Sequence, residues 1–426
     1  MISGGGGILG RKIKIVHINT YDREGGAARA AFRLHCGLKK ISESILFVQN
    51  KTDDSLEFLS GSKRVDKIKV FFNKRADFFI KLLFRLKIDL PWSFNFLPFR
   101  TIKNEFIINA DIIHLHWING GFIGIGSFNK LNKPIVWTLH DSWPFTGGCH
   151  IPYECIEYQN FCLDCKQIPK RRFFNISNWV CRRKLSYYPD NMIIVCPSRW
   201  LAKCAKNSSV FANKKIVVIP NGIDTNQYSP RNKQFARTMI GIPIQSKVIL
   251  FGAMSAASDT NKGFCFLSEA IKYLYDKNYK HDEIKIIIFG SEKPANPPYF
   301  GFDVQYVGHL NDNISLNILY SAADVMIVPS KSENFPNVIL ESMASGTPCV
   351  AFDVGGISEL ITHRIDGYLA KPYDSLDLAA GIKFVLSDRK KWTLMSQTAR
   401  KKIVELYSID IIAEKYINLY NSILEI

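Results

Sequence analysis

Glu333 and Glu341, with seven residues between them in the segment DVMIVPSKSENFPNVILESMASGTPCVAFDVGGISE (324–359), are the side chains whose type and spacing point most directly to chemistry. An ionised carboxylate accepts hydrogen bonds from neighbouring hydroxyls, so two of them beside one ligand suit a ribose diol at one end and a sugar at the other. The segment reads as strand, loop, helix, strand and loop. Pro336 is tolerated in a first helical turn and Asn334 suits a cap, which predicts a helix starting near Pro336, directly after the loop bearing Glu333. The free backbone N–H groups and positive dipole end of that helix suit a diphosphate. An isolated pair of this kind is more simply a solvated loop acid and a first-turn dipole partner. The surrounding residues shift the balance toward ligand binding.

Further candidates stand after other strands. In ILFGAMSAASDTNKGFCFLSEAI, Gly252 ends a strand and Lys262-Gly263 opens a helix, where a lysine can reach a phosphate as a point charge. In TYDREGGAARAAFRLHCGL, Gly25 and Gly26 would let the backbone approach a phosphate or an acceptor, although the run is not G-x-G-x-x-G and many strand–helix turns carry glycine for geometry alone. His140 ends PIVWTLH and opens the loop DSWPFTGGCH, with Asp141 as its loop anchor; a neutral imidazole there either meets a ligand or ties down the loop. His114, His116 and His150 make no comparable claim. Cys149, Cys155, Cys162 and Cys165 form C-x5-C-x6-C-x2-C, a spacing that suits a structural tetrahedral Zn2+ pinning the insert at 141–190. The alternatives are four unlinked thiols, or two disulfides in an oxidising compartment.

These residues need strands and helices to position them, and the pattern supplies both. Apolar, β-branched runs alternate with helix-length segments, which predicts α/β architecture with mostly parallel sheets. Strands are expected at 13–19, 44–49, 111–117, 134–140 and 192–198, and again at 215–220, 247–252, 284–290, 324–330 and 348–353. The polar, Pro- and Gly-punctuated VIPNGIDTNQYSPRNKQ marks the break between two halves. The expected division is a domain at 1–210, a second at 211–405, and a final helix at 406–426 with Asp410 as its cap. Two doubly wound domains then face each other across a cleft, with ligands beyond the carboxyl ends of the strands.

Composition fits this reading. A chain of 426 residues with 47% hydrophobic and 22% charged residues is globular and long enough for two cores. No run reaches the roughly 18 apolar residues of a membrane span, and no secretory leader is visible after the Gly-rich start, which points to the cytoplasm. The 55 basic against 38 acidic residues favour partners carrying phosphate. Segment 66–90 (DKIKVFFNKRADFFIKLLFRLKIDL) interleaves Phe, Ile and Leu with Lys and Arg at helical spacing, suiting an anionic membrane surface as well as ordinary packing.

The glutamate pair, with Phe335, Pro336, Asn337, the turn Ala344-Ser345-Gly346-Thr347-Pro348, Gly355-Gly356 and Glu359, closely resembles the signature of the retaining GT-B glycosyltransferases of family 4 (glycosyl transferases group 1). The WPFTGGCH loop is similar to that of a cysteine-bearing subset. The resemblance implies a GT-B fold of two Rossmann-like domains and transfer of a sugar from a UDP- or GDP-sugar, with retention, to a glycan or lipid-linked acceptor in bacterial polysaccharide biosynthesis. It implies that Glu333 and His140 act on the transferred sugar, that Glu341 holds the ribose, and that Gly26, Lys262, Phe335, Pro336 and Asn337 complete the donor site. The arginine that commonly accompanies such a lysine is missing: its places hold Ala253 and Asn261. No Asp-x-Asp stands at a strand end, so transfer without a catalytic metal is expected. Two rivals are a sugar-nucleotide epimerase of the same shape and a basic nucleic-acid-binding protein; the cleft pattern disfavours the latter, and no nucleic-acid partner is expected.

Overall fold

A computed structural model describes residues 11–52, 58–60, 75, 78–79, 82, 91–96, 105–168, 174–252, 259–277, 283–310 and 312–425. Thirteen strands among them form two sheets in which every neighbouring pair is parallel. The first contains β1 (Lys14–Tyr21), β2 (Glu43–Asn50), β3 (Phe58–Ser60), β4 (Ile112–Leu115), β5 (Ile135–Thr138), β6 (Ile193–Cys196) and β7 (Lys215–Val218), in the order 3-2-1-4-5-6-7. The second contains β8 (Lys247–Gly252), β9 (Ile284–Phe289), β10 (Asp303–Tyr306), β11 (Val325–Val328), β12 (Cys349–Phe352) and β13 (Gly367–Ala370), in the order 10-9-8-11-12-13. Strand order reverses beside β1 and beside β8, so each sheet has a switch point where a ligand crevice opens.

The central strands are mostly apolar because helices cover both sheet faces. Every residue of β4, β5, β6, β11 and β12 is buried. The helices that position the site are α1 (Gly26–Lys39), α2 (Ile176–Tyr187), α3 (Arg199–Lys206), α4 (Phe264–Lys277), α5 (Asn313–Ala322), α6 (Asn337–Ala344), α7 (Ser375–Leu386), α8 (Arg389–Tyr407) and α9 (Ile409–Leu424).

All ten expected strands form; β3, β10 and β13 are additions. The boundary expected at 210/211 shifts, because β7 pairs in parallel with β6 and closes the edge of the first sheet. The sequence reading groups that strand with the second half, although the polar break follows it.

The C-terminal segment divides between the domains. Ala399, Ile403 and Tyr407 of α8 pack into the second core with Leu340 and Met343. Ile412, Ala413, Tyr416 and Tyr420 of α9 pack into the first with Ile15, Leu34 and Val136. Ser408 is the N-cap of α9 without a side-chain cap bond, so the expected cap Asp410 lies inside the first turn instead, 2.6 Å from Lys40 Nζ.

Candidate active site

The second domain builds its share of the site around Glu333. Lys262 ends a short 3-10 turn (Thr260–Lys262), and its Nζ lies 2.7 Å from Glu333 Oε1. Burial works against the Lys262 ammonium, but the glutamate overrides it and holds the lysine pKa above its ordinary value. Two glycines make this approach possible. Gly263 has φ 69°, and a Cβ on it would fall 1.8 Å from the Pro329 carbonyl oxygen at the end of β11. Gly355 has φ 60°, and a Cβ there would fall 1.9 Å from the Glu333 carbonyl oxygen, which accepts the Gly356 N–H at 3.0 Å. Only a residue without a side chain fits either place.

Asn261 occupies one place where an arginine was sought and ties down the glutamate loop: Nδ2 donates to the Ser332 carbonyl at 3.0 Å, and its own carbonyl accepts the Lys331 N–H at 2.8 Å. Ala253, the other place, lies outside the described residues.

Helix α6 begins at Asn337, next to Pro336 as expected. Pro336 is its N-cap, with extended backbone and no side-chain cap bond. Asn334, expected to be the cap, reaches across the cleft instead: Nδ2 donates to the Leu139 carbonyl at 3.2 Å, and Oδ1 accepts from Ser198 Oγ at 2.7 Å. A residue before proline is driven toward extended backbone, and the Phe335 ring turns into the core against Tyr407, leaving only its main chain for a ligand. Asn337 Nδ2 donates to the Gly26 carbonyl at 2.9 Å, so the N-termini of α6 and α1 meet across the cleft. Asn337 Oδ1 is buried without a partner.

Glu341 departs most from expectation. It is 1% exposed; Oε1 accepts from Arg33 Nη2 at 2.5 Å and Oε2 from the Tyr320 hydroxyl at 2.8 Å. Arg33 belongs to α1 of the facing domain and also reaches the Tyr228 hydroxyl at 3.2 Å. Burial alone would lower the Arg33 pKa, yet Glu341 raises it; burial and then Glu341 push Tyr320 well up. Glu333 and Glu341 therefore do not border one open space: Glu341 joins the domains. Glu359 does so too, accepting the N–H groups of Arg199 and Trp200 at 3.0 Å each and capping α3. Arg33, Tyr320 and Tyr228 carried no sequence signal; a single arginine in an Ala-rich helix resembles any other of the 55 basic residues.

In the first domain, His140 follows β5 and is half-buried. Its Nε2 lies 3.1 Å from His116 Nδ1, and His116 Nε2 lies 3.0 Å from His17 Nδ1. Burial lowers the pKa of His140 to about 4, against a small upward pull from Asp141. Asp141 is the loop anchor expected. It accepts the Trp143 N–H at 2.9 Å, Trp117 Nε1–H at 2.8 Å and His150 Nδ1 at 2.6 Å. Burial would raise its pKa, but His150 and the other donors hold it below the ordinary value. His150 and His116, given no role by sequence, are thus built into the loop and the histidine row. Lys184 of α2 is fully buried and donates to the Trp143 and Thr146 carbonyls, and burial lowers its pKa to about 8.

The four cysteines of the insert line one small cavity with Trp92 and Gln167. All four are free thiols, and Cys162 Sγ accepts the Gly147 N–H at 3.2 Å. Cys181 of α2, which sequence reasoning passed over, is the neighbour that most lowers the Cys162 pKa, whereas burial pushes Cys149 up. Tyr153, Phe161 and Cys162 all hold left-handed backbone with φ 51°, a concentration of strain in one loop. Among the described residues, the one trio of possible metal-ligand atoms all within 4.8 Å is His17, His114 and His116. The cysteine sulfurs share a cavity without being drawn that close. Of segment 66–90, all but Arg75, Phe78, Phe79 and Leu82 lies outside the described residues, and those four are exposed. No described helix is long and apolar enough to cross a membrane.

Comparison with known proteins bears on this geometry. Residues 24–227 match Glycosyltransferase Family 4, and residues 245–388 match Glycosyl transferases group 1. An uncharacterized glycosyltransferase of Methanocaldococcus jannaschii is 32% identical over 329 residues, covering 74% of this chain and 76% of that protein. The UDP-Gal:alpha-D-GlcNAc-diphosphoundecaprenol alpha-1,3-galactosyltransferase of Escherichia coli is 30% identical over 215 residues, 48% of this chain and 54% of its own. Among solved structures, Anabaena Alr3699/HepE in complex with UDP-glucose superposes with TM-score 0.64 at 16% identity, covering 96% of this chain and all of that one. With two parallel sheets meeting at their switch-point loops, the chain belongs to the family 4, group 1 glycosyltransferases of GT-B fold.

Proposed function

We propose that this glycosyltransferase moves a hexosyl group from a nucleotide sugar, UDP- or GDP-linked, to a glycan or lipid-linked acceptor with retention of anomeric configuration, as a step in bacterial polysaccharide biosynthesis. The observation that carries the reading is the Lys262–Glu333 pair, 2.7 Å apart at the carboxyl edge of the second sheet, held by Gly263 and Gly355 at places no other residue fits. A carboxylate held there is a fixed acceptor for sugar hydroxyls, and the adjoining ammonium meets the charge that develops on a departing diphosphate. The free N–H groups at the start of α6 add to that stabilisation. His140, neutral at physiological pH, offers a hydrogen bond to the transferred group from the facing domain. No step calls for a metal. Glu341 takes the ribose diol once Arg33 yields or shares it, which couples donor entry to the seam between the domains.

The UDP-glucose complex of Alr3699/HepE and the diphosphoundecaprenol-linked acceptor in the name of the E. coli relative support the choice of donor and acceptor. The exposed Phe78, Phe79 and Leu82 beside Arg75 support work at the cytoplasmic face of a membrane. Thermal-shift screening of the protein against UDP-, GDP-, ADP- and CDP-sugars tests the donor. At least one UDP- or GDP-sugar raises the melting temperature; stabilisation by none of the four sets overturns the reading. NMR of the anomeric proton of the first product formed tests retention.

With its four sulfurs drawn together, the cysteine cavity would hold a structural zinc ion, which would supply a cross-link and no chemistry. Four thiols line one space, one already accepts a backbone N–H, and a cross-link would offset the strain of three left-handed residues. Cys149, Cys155, Cys162 and Cys165 would hold it. Metal analysis of the purified protein returns one zinc per chain, lost in Cys162→Ser together with several degrees of melting temperature; a metal-free protein of unchanged stability refutes the assignment.

A further inference from the structure

The row of buried histidines beneath His140 is not used by the transfer scheme above. His17 lies on β1, His114 lies on β4 and His116 directly follows that strand, and all three are at most 3% exposed. Their closeness suggests a metal, but their nitrogens are already committed. His114 Nδ1 meets the Tyr420 hydroxyl at 2.7 Å and Nε2 meets Thr138 Oγ1 at 2.7 Å. His116 uses both nitrogens, on His140 and on His17, and His17 uses Nδ1. Five of six ring nitrogens are thus partnered, and only His17 Nε2 is left over. Three of them could bind one ion only by breaking bonds that satisfy buried polar atoms, at a cost for each.

The same accounting gives the row a different role. A neutral imidazole has one N–H and one lone pair. His116 sits between two imidazoles with both nitrogens engaged, so the proton it gives to one neighbour fixes which nitrogen the other must protonate. Its ring is held in place by stacking on His114 at 4.3 Å, and it lies nearly parallel to the His140 ring at 5.4 Å, edge to edge through the hydrogen bond. His140 Nε2 is consumed by this contact. Nδ1 has no partner among the described residues, on a side chain that remains half-buried.

We propose that His116 is a positioning residue: backed by His17, it holds the His140 ring in one orientation and one tautomer, with Nδ1 presented to the cleft as the atom that meets the transferred sugar. The second half of that statement rests on the donor-site reading given above; the first does not. Burial keeps the row neutral, which preserves the alternation of donors and acceptors. Glutamine is the informative replacement for His116, because one amide end carries both a donor and an acceptor at nearly the spacing of the two ring nitrogens. Leucine carries neither.

The test uses the full chain labelled with nitrogen-15 in its histidines, with His140 assigned by its loss in His140→Gln. The wild-type protein and His116→Gln show His140 as a single tautomer, with one protonated and one bare ring nitrogen. His116→Leu shows the averaged pair of signals of a ring exchanging tautomers. With the donor found in the screen, His116→Leu lowers kcat about tenfold, a typical effect of removing a supporting partner, while KM for the donor and the melting temperature of His116→Gln stay near wild type. An averaged His140 in the wild type, or a single unchanged tautomer in His116→Leu, overturns the proposal whatever the enzyme's substrate. An ordered wild-type ring with no transfer from any nucleotide sugar would instead sink the donor reading and leave the positioning role standing. Should His116→Leu fail to fold, averaged signals in His17→Leu, which removes the support of His116, decide the matter in the same way.

Discussion

Two glutamates that look alike in the sequence are unlike in the fold. Glu333 stands in a polar pair at the cleft, so Glu333→Gln is expected to lower kcat by about a hundredfold, as when one preorganised transition-state contact is lost, with little change in melting temperature. Glu341 is buried against Arg33, and truncating one partner of such a pair leaves the other charged and dry. Glu341→Ala is therefore expected to destabilise the protein by about 3 kcal/mol, whereas Arg33→Met combined with Glu341→Leu recovers most of that loss without restoring donor binding. Urea denaturation of the three variants measures both effects. The sequence could indicate Glu333, Lys262 and His140, because each follows a strand and matches a motif. It could not reveal Arg33 or Tyr320, whose importance comes only from what the facing element brings to them.

The histidines carry a pH dependence of definite sign. Burial is the largest cause lowering the pKa of His140 and His35 to about 4 and of His114 to about 3. Below an unfolded value of about 6.5 the unfolded chain binds these protons first. Their stabilisation is complete above that value and is lost as the pH falls through it toward 4 and then 3. Melting temperatures measured between pH 8 and 4 should be level to about 6.5 and then fall; a level curve down to 4.5 contradicts the burial of these rings.

At the scale of elements, the glutamate loop depends on backbone that only glycine adopts. Gly355→Ala would press a methyl group into the Glu333 carbonyl, so it should cost about 1–3 kcal/mol and weaken donor binding together, read by denaturation and by thermal shift with the donor. The long apolar strands were legible because burial on both faces writes a continuous hydrophobic run. The additions β3, β10 and β13 are three or four residues long, and DVQY and GYLA carry too few apolar positions to stand out from turns. The start of α6 near Pro336 was legible, but its cap was not. Asn334 is a good cap in isolation, but the Leu139 carbonyl and Ser198 compete for its amide, and they come from the other domain.

At the scale of the molecule, the domains are joined by side chains reaching in both directions and by two chain crossings that run side by side. Ile223 N–H donates to the Tyr407 carbonyl at 2.9 Å, and Ile409 N–H donates to the Ile223 carbonyl at 2.8 Å. Any rotation of one domain against the other turns about this paired ribbon. The ribbon delivers α9 to the first domain, where Tyr416 and Tyr420 reach Thr138 and His114. Domains commonly fold in order as they leave the ribosome, but here the first cannot finish until the whole of the second has been made. During synthesis it waits with Ile15, Leu34 and Val136 uncovered. A fragment ending at residue 222 should therefore collect in aggregates, and co-expression of a segment carrying 409–424 should return it to solution.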